Sequence, residues 1–119
     1  MNTNILTLGT EPIARQGDLL IQRIDEIPAG LVVSPPEDGR YIAAHSETGH
    51  HHWLHAGVGS LFKDPADPFI CYLRVDAGHA DFVHARSYDT HKTIRVPSGN
   101  YKLTNQLESS PEGWRRAAD

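Results

Sequence analysis

Turn-forming residues cut this chain into short pieces, and that limits what it can fold into. Gln16-Gly17, Ser34-Pro-Pro-Glu-Asp-Gly39, Gly49, Lys63-Asp-Pro-Ala-Asp-Pro68, Asp76-Ala-Gly-His79 and Pro97-Ser-Gly-Asn100 each interrupt an apolar run. The runs between them, residues 18–24, 31–33, 41–45, 50–55, 69–75, 80–85 and 101–107, have the length of strands. The last alternates most clearly: Tyr101, Leu103 and Leu107 face one way, and Lys102, Thr104 and Gln106 the other. Seven or eight short strands separated by turns predict an all-β fold, a single antiparallel β-barrel or jelly roll. Asp76–His79 and Pro97–Asn100 are read as tight turns, and Gly57-Val-Gly59 as a bend. Only the tail has a helix signature, with Ser110 as N-cap, Pro111 at the first helical position and Glu112 behind it.

A chain of 119 residues makes one domain with a modest core. We take residues 15–119 as that domain and residues 1–14 as an N-terminal arm. The stretch Asn4-Ile-Leu-Thr-Leu8 alternates in polarity but lies outside the compact series. It is expected to add as an edge strand, to its own sheet or to a neighbour's, with self-association through the neighbour's sheet favoured.

Charge and motif content exclude several functions. The net charge of −4 comes without a basic stripe, since Arg115-Arg116 is the only adjacent cationic pair, so nucleic acid is not an expected partner. Cys71 is the only cysteine, which rules out an internal disulfide and a cysteine-based zinc motif; its apolar flanks predict a buried, inert thiol. No apolar run approaches the roughly 20 residues of a membrane-spanning helix. The opening Met1-Asn-Thr-Asn-Ile-Leu6 carries no basic n-region, so the expected location is cytoplasmic, or the virion if the chain is phage-encoded. There is no glycine-rich phosphate loop, no Gly-x-Ser-x-Gly elbow and no His-Glu-x-x-His helix.

Five of the eight histidines fall between His45 and His55. Imidazole is a common ligand for transition metals, so the cluster is a metal site or a polar surface. In an extended segment His50, His52 and Leu54 share one face, and His51, Trp53 and His55 share the other. A His-x-His pair on one face presents two nitrogens to one ion, and a catalytic zinc takes three protein ligands plus water. His84 and His91 are the further ligand candidates. His91 joins only if a bulge precedes Ile94, because Ile94 and Val96 mark the core face of its strand. Glu47 is a carboxylate ligand, an orienting partner or a general base. His45, His51, His55 and His79 are read as surface residues. Trp53 and Tyr72 are read as packing residues rather than pocket walls, and Asp76, Asp81 and Asp89 as turn-associated residues.

Over residues 41–108 these features resemble the cupins, small jelly-roll barrels that hold a metal at the barrel mouth. Cupins carry Gly-x5-His-x-His, a Glu a few residues later, and then Pro-x-Gly-x2-His followed by Asn. His50-x-His52 and Pro97-x-Gly99 fit, and Asn105 lies within a residue of the expected Asn. The Glu is absent after His52, and Lys102 stands at the position of the third histidine. His84 and His91 would have to replace the missing ligands. The chain is also similar to small proteins of bacteria and their phages that share Gln16-Gly17-Asp18, Gly49-His50-x-His52 and Pro97-x-Gly99-x-Tyr101; that likeness implies no activity.

The leading expectation is a small metal-binding, cupin-like protein holding a divalent transition metal (zinc, iron or manganese) on His50, His52, His84 and His91. In an enzyme the metal would act as a Lewis acid or activate bound water or dioxygen, with Glu47 as the base. The alternative is a structural protein, a phage virion or capsid decoration component, with other virion proteins as partners. A third reading is a ligand-binding module without metal. Catalysis requires a cavity beside the His50/His52 face with a carboxylate at its rim; a scaffold requires an interior filled by Leu19, Ile21, Phe69, Leu73 and Leu103, with the histidines on the surface or at a subunit contact.

Overall fold

A computed structural model describes residues 5–7, 13–16, 19–44, 52–84 and 93–105. Among these described residues nine strands follow one another: β1 (Ile5–Thr7), β2 (Ile13–Gln16), β3 (Leu19–Ile24), β4 (Val32–Ser34), β5 (Arg40–Ala44), β6 (His52–His55), β7 (Gly59–Lys63), β8 (Ile70–His84) and β9 (Thr93–Asn105). A single 3₁₀ turn, Ala56–Val58, joins β6 to β7 where the glycines predict a bend. Among the described strands all pairings are antiparallel except that of β1, which runs parallel to β9 of the same chain. The arm's strand therefore lies on its own sheet, the less favoured of its two expected placements.

The two longest strands correct the sequence reading. Neither Asp76–His79 nor Pro97–Asn100 reverses the chain. Both lie inside the β8–β9 ladder, facing each other: Val75 pairs with Gly99 and His79 with Pro97, so residues 76–78 oppose Ser98 alone. Extra residues on one strand bend it and raise its twist. Gly78 (φ +76°) and Gly99 (φ +148°) adopt backbone angles that side-chain-bearing residues avoid. Gly, Pro and Asp thus mark a bulge here, because a bulge needs the same backbone freedom as a turn. The buried positions change parity across the bend in both strands, from Leu73 and Val75 to Ala80 and Phe82 in β8, and from Ile94 and Val96 to Tyr101 and Leu103 in β9.

The bend folds one continuous sheet back on itself. In the first half the order is β2, β3, residues 99–105 of β9, residues 70–75 of β8, β7, β4. In the second it is β1, residues 93–97 of β9, residues 79–84 of β8, β6, β5. One core lies between them, with Leu19, Ile21, Leu61, Leu73 and Leu103 from the first half and Leu54, Phe82, Ile94 and Val96 from the second, all at most 2% exposed. Two contacts tie the halves together at opposite ends. Near the bend, the Tyr41 hydroxyl donates to the Gly59 carbonyl at 3.1 Å. At the far end, the Cys71 thiol donates to the Ala43 carbonyl at 3.5 Å.

The ladder of described strands does not close, so the fold is all-β and mainly antiparallel with free edges, rather than a sealed barrel. Among the described residues no helix is long and apolar enough to cross a membrane. The helix expected from Ser110 onward lies outside the described residues.

Candidate functional site

His52 opens β6 on the same face as Leu54, as the period-two reading requires, and that face is the interior: both residues are 0% exposed. Trp53 and His55 occupy the outer face, where Trp53 lies under the Arg40 guanidinium (4.8 Å) and edge-on to His55 (5.3 Å). On one side His52 opposes Ala44 across a bulge in β5; on the other it stands directly opposite His84 in the β6–β8 ladder. Directly opposed residues in an antiparallel pair have Cβ atoms only about 4.5–5.5 Å apart. Two of the four proposed ligands are therefore register partners, and one of them is sealed inside the fold.

The other candidates, His50, His91 and Glu47, lie outside the described residues, as do His45, His51 and Asp89. Among the described residues no three His, Cys, Asp or Glu side chains converge in a way that would hold a metal ion. His55 and His79 are exposed, as expected of surface residues. Asp81 is not a turn residue; it sits within β8 and pairs with Arg95.

Connectivity gathers the chemistry at one end. β5 ends at Ala44 and β6 begins at His52; β8 ends at His84 and β9 begins at Thr93. The segments carrying Glu47, His50 and His91 thus attach at the end of the second half where His52 lies. The Cys71–Ala43 contact brings the start of β8 and the end of β5 to that same end. A cavity of about 190 Å³ opens here between the halves of the sheet. Ile42 and Ala43 wall it from β5; Lys63, Ile70, Cys71 and Asn105 wall it from β7, β8 and β9; the loop Asp64–Phe69 supplies the rest.

That loop is held by its own aspartates. Asp64 Oδ1 accepts from the Ala66 N–H (2.9 Å), and Asp67 Oδ1 accepts from the Phe69 N–H (3.0 Å). The Phe69 carbonyl accepts the Asn105 N–H at 2.8 Å, which fastens the loop to the end of β9. The wall is preformed, because each turn is closed by a side chain as well as by backbone. Its charge reaches outward: burial, then the Asp64 and Asp67 carboxylates, raise the ionisation range of the neighbouring Tyr72 phenol. Cys71 is buried, and burial pushes its thiol up to about 12 against a smaller opposing pull from the Lys63 ammonium. It is the inert thiol its apolar flanks predict.

Neither sequence-based alternative is met in full: carboxylates line the cavity but His52 does not, and His52 is buried rather than at the surface. Leu19, Ile21, Leu73 and Leu103 fill the interior completely, whereas Phe69 is half-buried and lines the cavity. The wall residues Lys63, Asp64, Asp67 and Asn105 have no motif beyond a loop composition rich in Pro and Asp. Asn105 alone carries a signal, through its near-match to the cupin Asn.

A family model described as Domain of unknown function (DUF8820) matches residues 15–106, which span the chain from β2 to the end of β9. No curated protein matches the chain. No solved structure matches it either.

Proposed function

We propose that this chain, which belongs to the DUF8820 family of domains of unknown function, is a cupin-like metal-binding protein with His52 and His84 as paired ligands. The observation that carries the reading is the register: a fully buried histidine directly opposite a second histidine, on strands that open onto one end of the fold. Imidazoles so placed are close enough for one ion to take both, at ligand distances near 2.0–2.1 Å. His50 and His91 complete the donor set from the adjoining segments, for a divalent transition metal such as zinc, iron or manganese. When bound, such an ion supplies Lewis acidity at the mouth, with Glu47 the base candidate. The finer fold in this reading is a jelly roll, with its ligands at the open end.

Elemental analysis of the purified protein and of His52→Ala and His84→Ala tests the reading. The wild type should hold about one equivalent of metal per chain, and each variant should lose it. A wild type that takes up neither zinc, iron nor manganese on titration ends the proposal. Unchanged content in both variants would move the ligands elsewhere.

A structural role is the second reading, and it draws on β1. This three-residue strand pairs on one side with β9 and forms an edge of the described sheet, open to a strand from a second copy. Deleting residues 2–14 should then lower the mass seen in light scattering; a strictly monomeric wild type excludes it.

A further inference from the structure

We propose that the cavity at the open end binds a small zwitterion with an apolar body, of the amino-acid type. At about 190 Å³ it is below the roughly 300–1,000 Å³ that drug-sized ligands occupy, so the occupant is small. Its lining has both signs of charge. The Lys63 ammonium ends β7 on the side of Cys71, and the Asp64 and Asp67 carboxylates belong to the loop. Each carboxylate accepts a loop N–H at its Oδ1, which fixes the group in place in the cavity wall. The same lining includes the apolar side chains of Ile42, Phe69 and Ile70.

A simple carboxylic acid would satisfy Lys63 but meet two carboxylates. A simple amine would satisfy the aspartates but face the lysine. A molecule carrying an ammonium, a carboxylate and an aliphatic side chain uses each charged group in the wall, with charge-assisted hydrogen bonds at both ends. The preformed loop lowers the ordering cost of binding. This inference is independent of the metal reading, since none of these wall residues is among the proposed ligands.

The test is a titration of the isotope-labelled full chain, in the presence of a chelator, followed by amide NMR. The probes are L-leucine, isopentylamine, which lacks the carboxylate, and 4-methylpentanoate, which lacks the amine. L-Leucine should shift the amides of residues 63–67, 69–71 and 105 saturably, binding about tenfold or more tightly than either truncated probe. Asp64→Asn with Asp67→Asn retains an oxygen for each loop hydrogen bond but removes the charge, and should weaken L-leucine about tenfold. Lys63→Met should weaken it similarly. An amine or acid that binds as well as L-leucine would overturn the zwitterion assignment. Absence of saturable shifts up to about 10 mM of all three probes would overturn the site itself. The wild-type series decides even if a variant fails to fold, and running it metal-free separates its failure from that of the metal reading.

Discussion

Asp81 and Arg95 face each other across the β8–β9 ladder, and their side chains meet in two hydrogen bonds of 2.9 and 3.0 Å. Those bonds hold the Asp81 carboxyl below its ordinary range; partial burial opposes them, and the charges of Arg95, His79 and His55 add to the depression. The His79 ring lies 4.0 Å from the same carboxylate. The pair sits on the second half of the sheet, with Asp81 on the strand that carries His84.

A depressed carboxyl stabilises the fold only while it is ionised. The contribution of Asp81 is therefore complete above the unfolded value of about 3.9 and is lost as pH falls through the lower folded value. Asp81→Asn should lower the melting temperature at pH 7, and the gap from wild type should close in strong acid. Added salt should narrow the gap at neutral pH, because the pair is partly exposed. A gap independent of pH would show that Asp81 acts through packing.

Cys71 follows the opposite sign. Its folded ionisation lies near about 12 against an ordinary value of 9.0, so the buried thiol favours folding fully below pH 9 and loses that contribution between 9 and 12. The steepest slope from this one group is about 1.4 kcal/mol per pH unit. Cys71→Ala should flatten the alkaline limb of the stability profile. Thiol reagents at pH 8 should label the native protein at the rate of unfolding; fast labelling would mean that the cavity admits reagent to the sulfur.

Gly59 lies where β7 meets the bend, and a Cβ there would run into the Arg74 carbonyl of the paired strand. Its φ of 169° is ordinary extended backbone, so the requirement is steric. Gly59→Ala should cost about 1–3 kcal/mol in denaturant unfolding, the range for overpacked sites. A neutral result would show that the two strands separate easily at this point.

The Tyr101 hydroxyl donates to the Pro97 carbonyl at 2.7 Å, closing over Gly99, and accepts from Arg23 at 3.4 Å. Its ring is fully buried. Tyr101→Phe keeps the ring and leaves that carbonyl without the hydroxyl, at a cost of about 1 kcal/mol. Hydrogen exchange should rise around residues 75–80 and 97–101 if this bond steadies the bend.

If His52 and His84 share an ion, they are energetically coupled through it. A double-mutant cycle with alanine at both positions should give about 0.5–3 kcal/mol of coupling with metal present and much less with a chelator. Zinc at about 100 times its Kd should stabilise the wild type by about 2.7 kcal/mol and leave either single variant unmoved. Equal coupling with and without metal would make the two histidines packing neighbours only.

Much of this was legible from local pattern. Strand lengths follow from turn residues, and the sharing of one strand face by His52 and Leu54 follows from the two-residue period. The inert character of Cys71 follows from its apolar flanks. The bend was not legible, since Asp76–Gly78 and Pro97–Gly99 have the composition of turns; only their pairing with each other makes them a bulge. The cavity was hidden for a similar reason. Lys63, Asp64 and Asp67 are ordinary loop residues until the end of β5, some twenty positions earlier, is packed against them.

The sequence by itself determined the all-β class, which neighbouring residues share a strand face, and the concentration of imidazole near residue 50. Those properties depend on neighbours one or two positions apart, where backbone geometry leaves few choices. Tertiary structure alone decided that His84 is the partner of His52, that β8 and β9 continue through their apparent turns, and that a charged cavity opens beside Ala43. Each of these is set by the register between strands far apart in the chain, and the packing of the two sheet halves around one core selects that register.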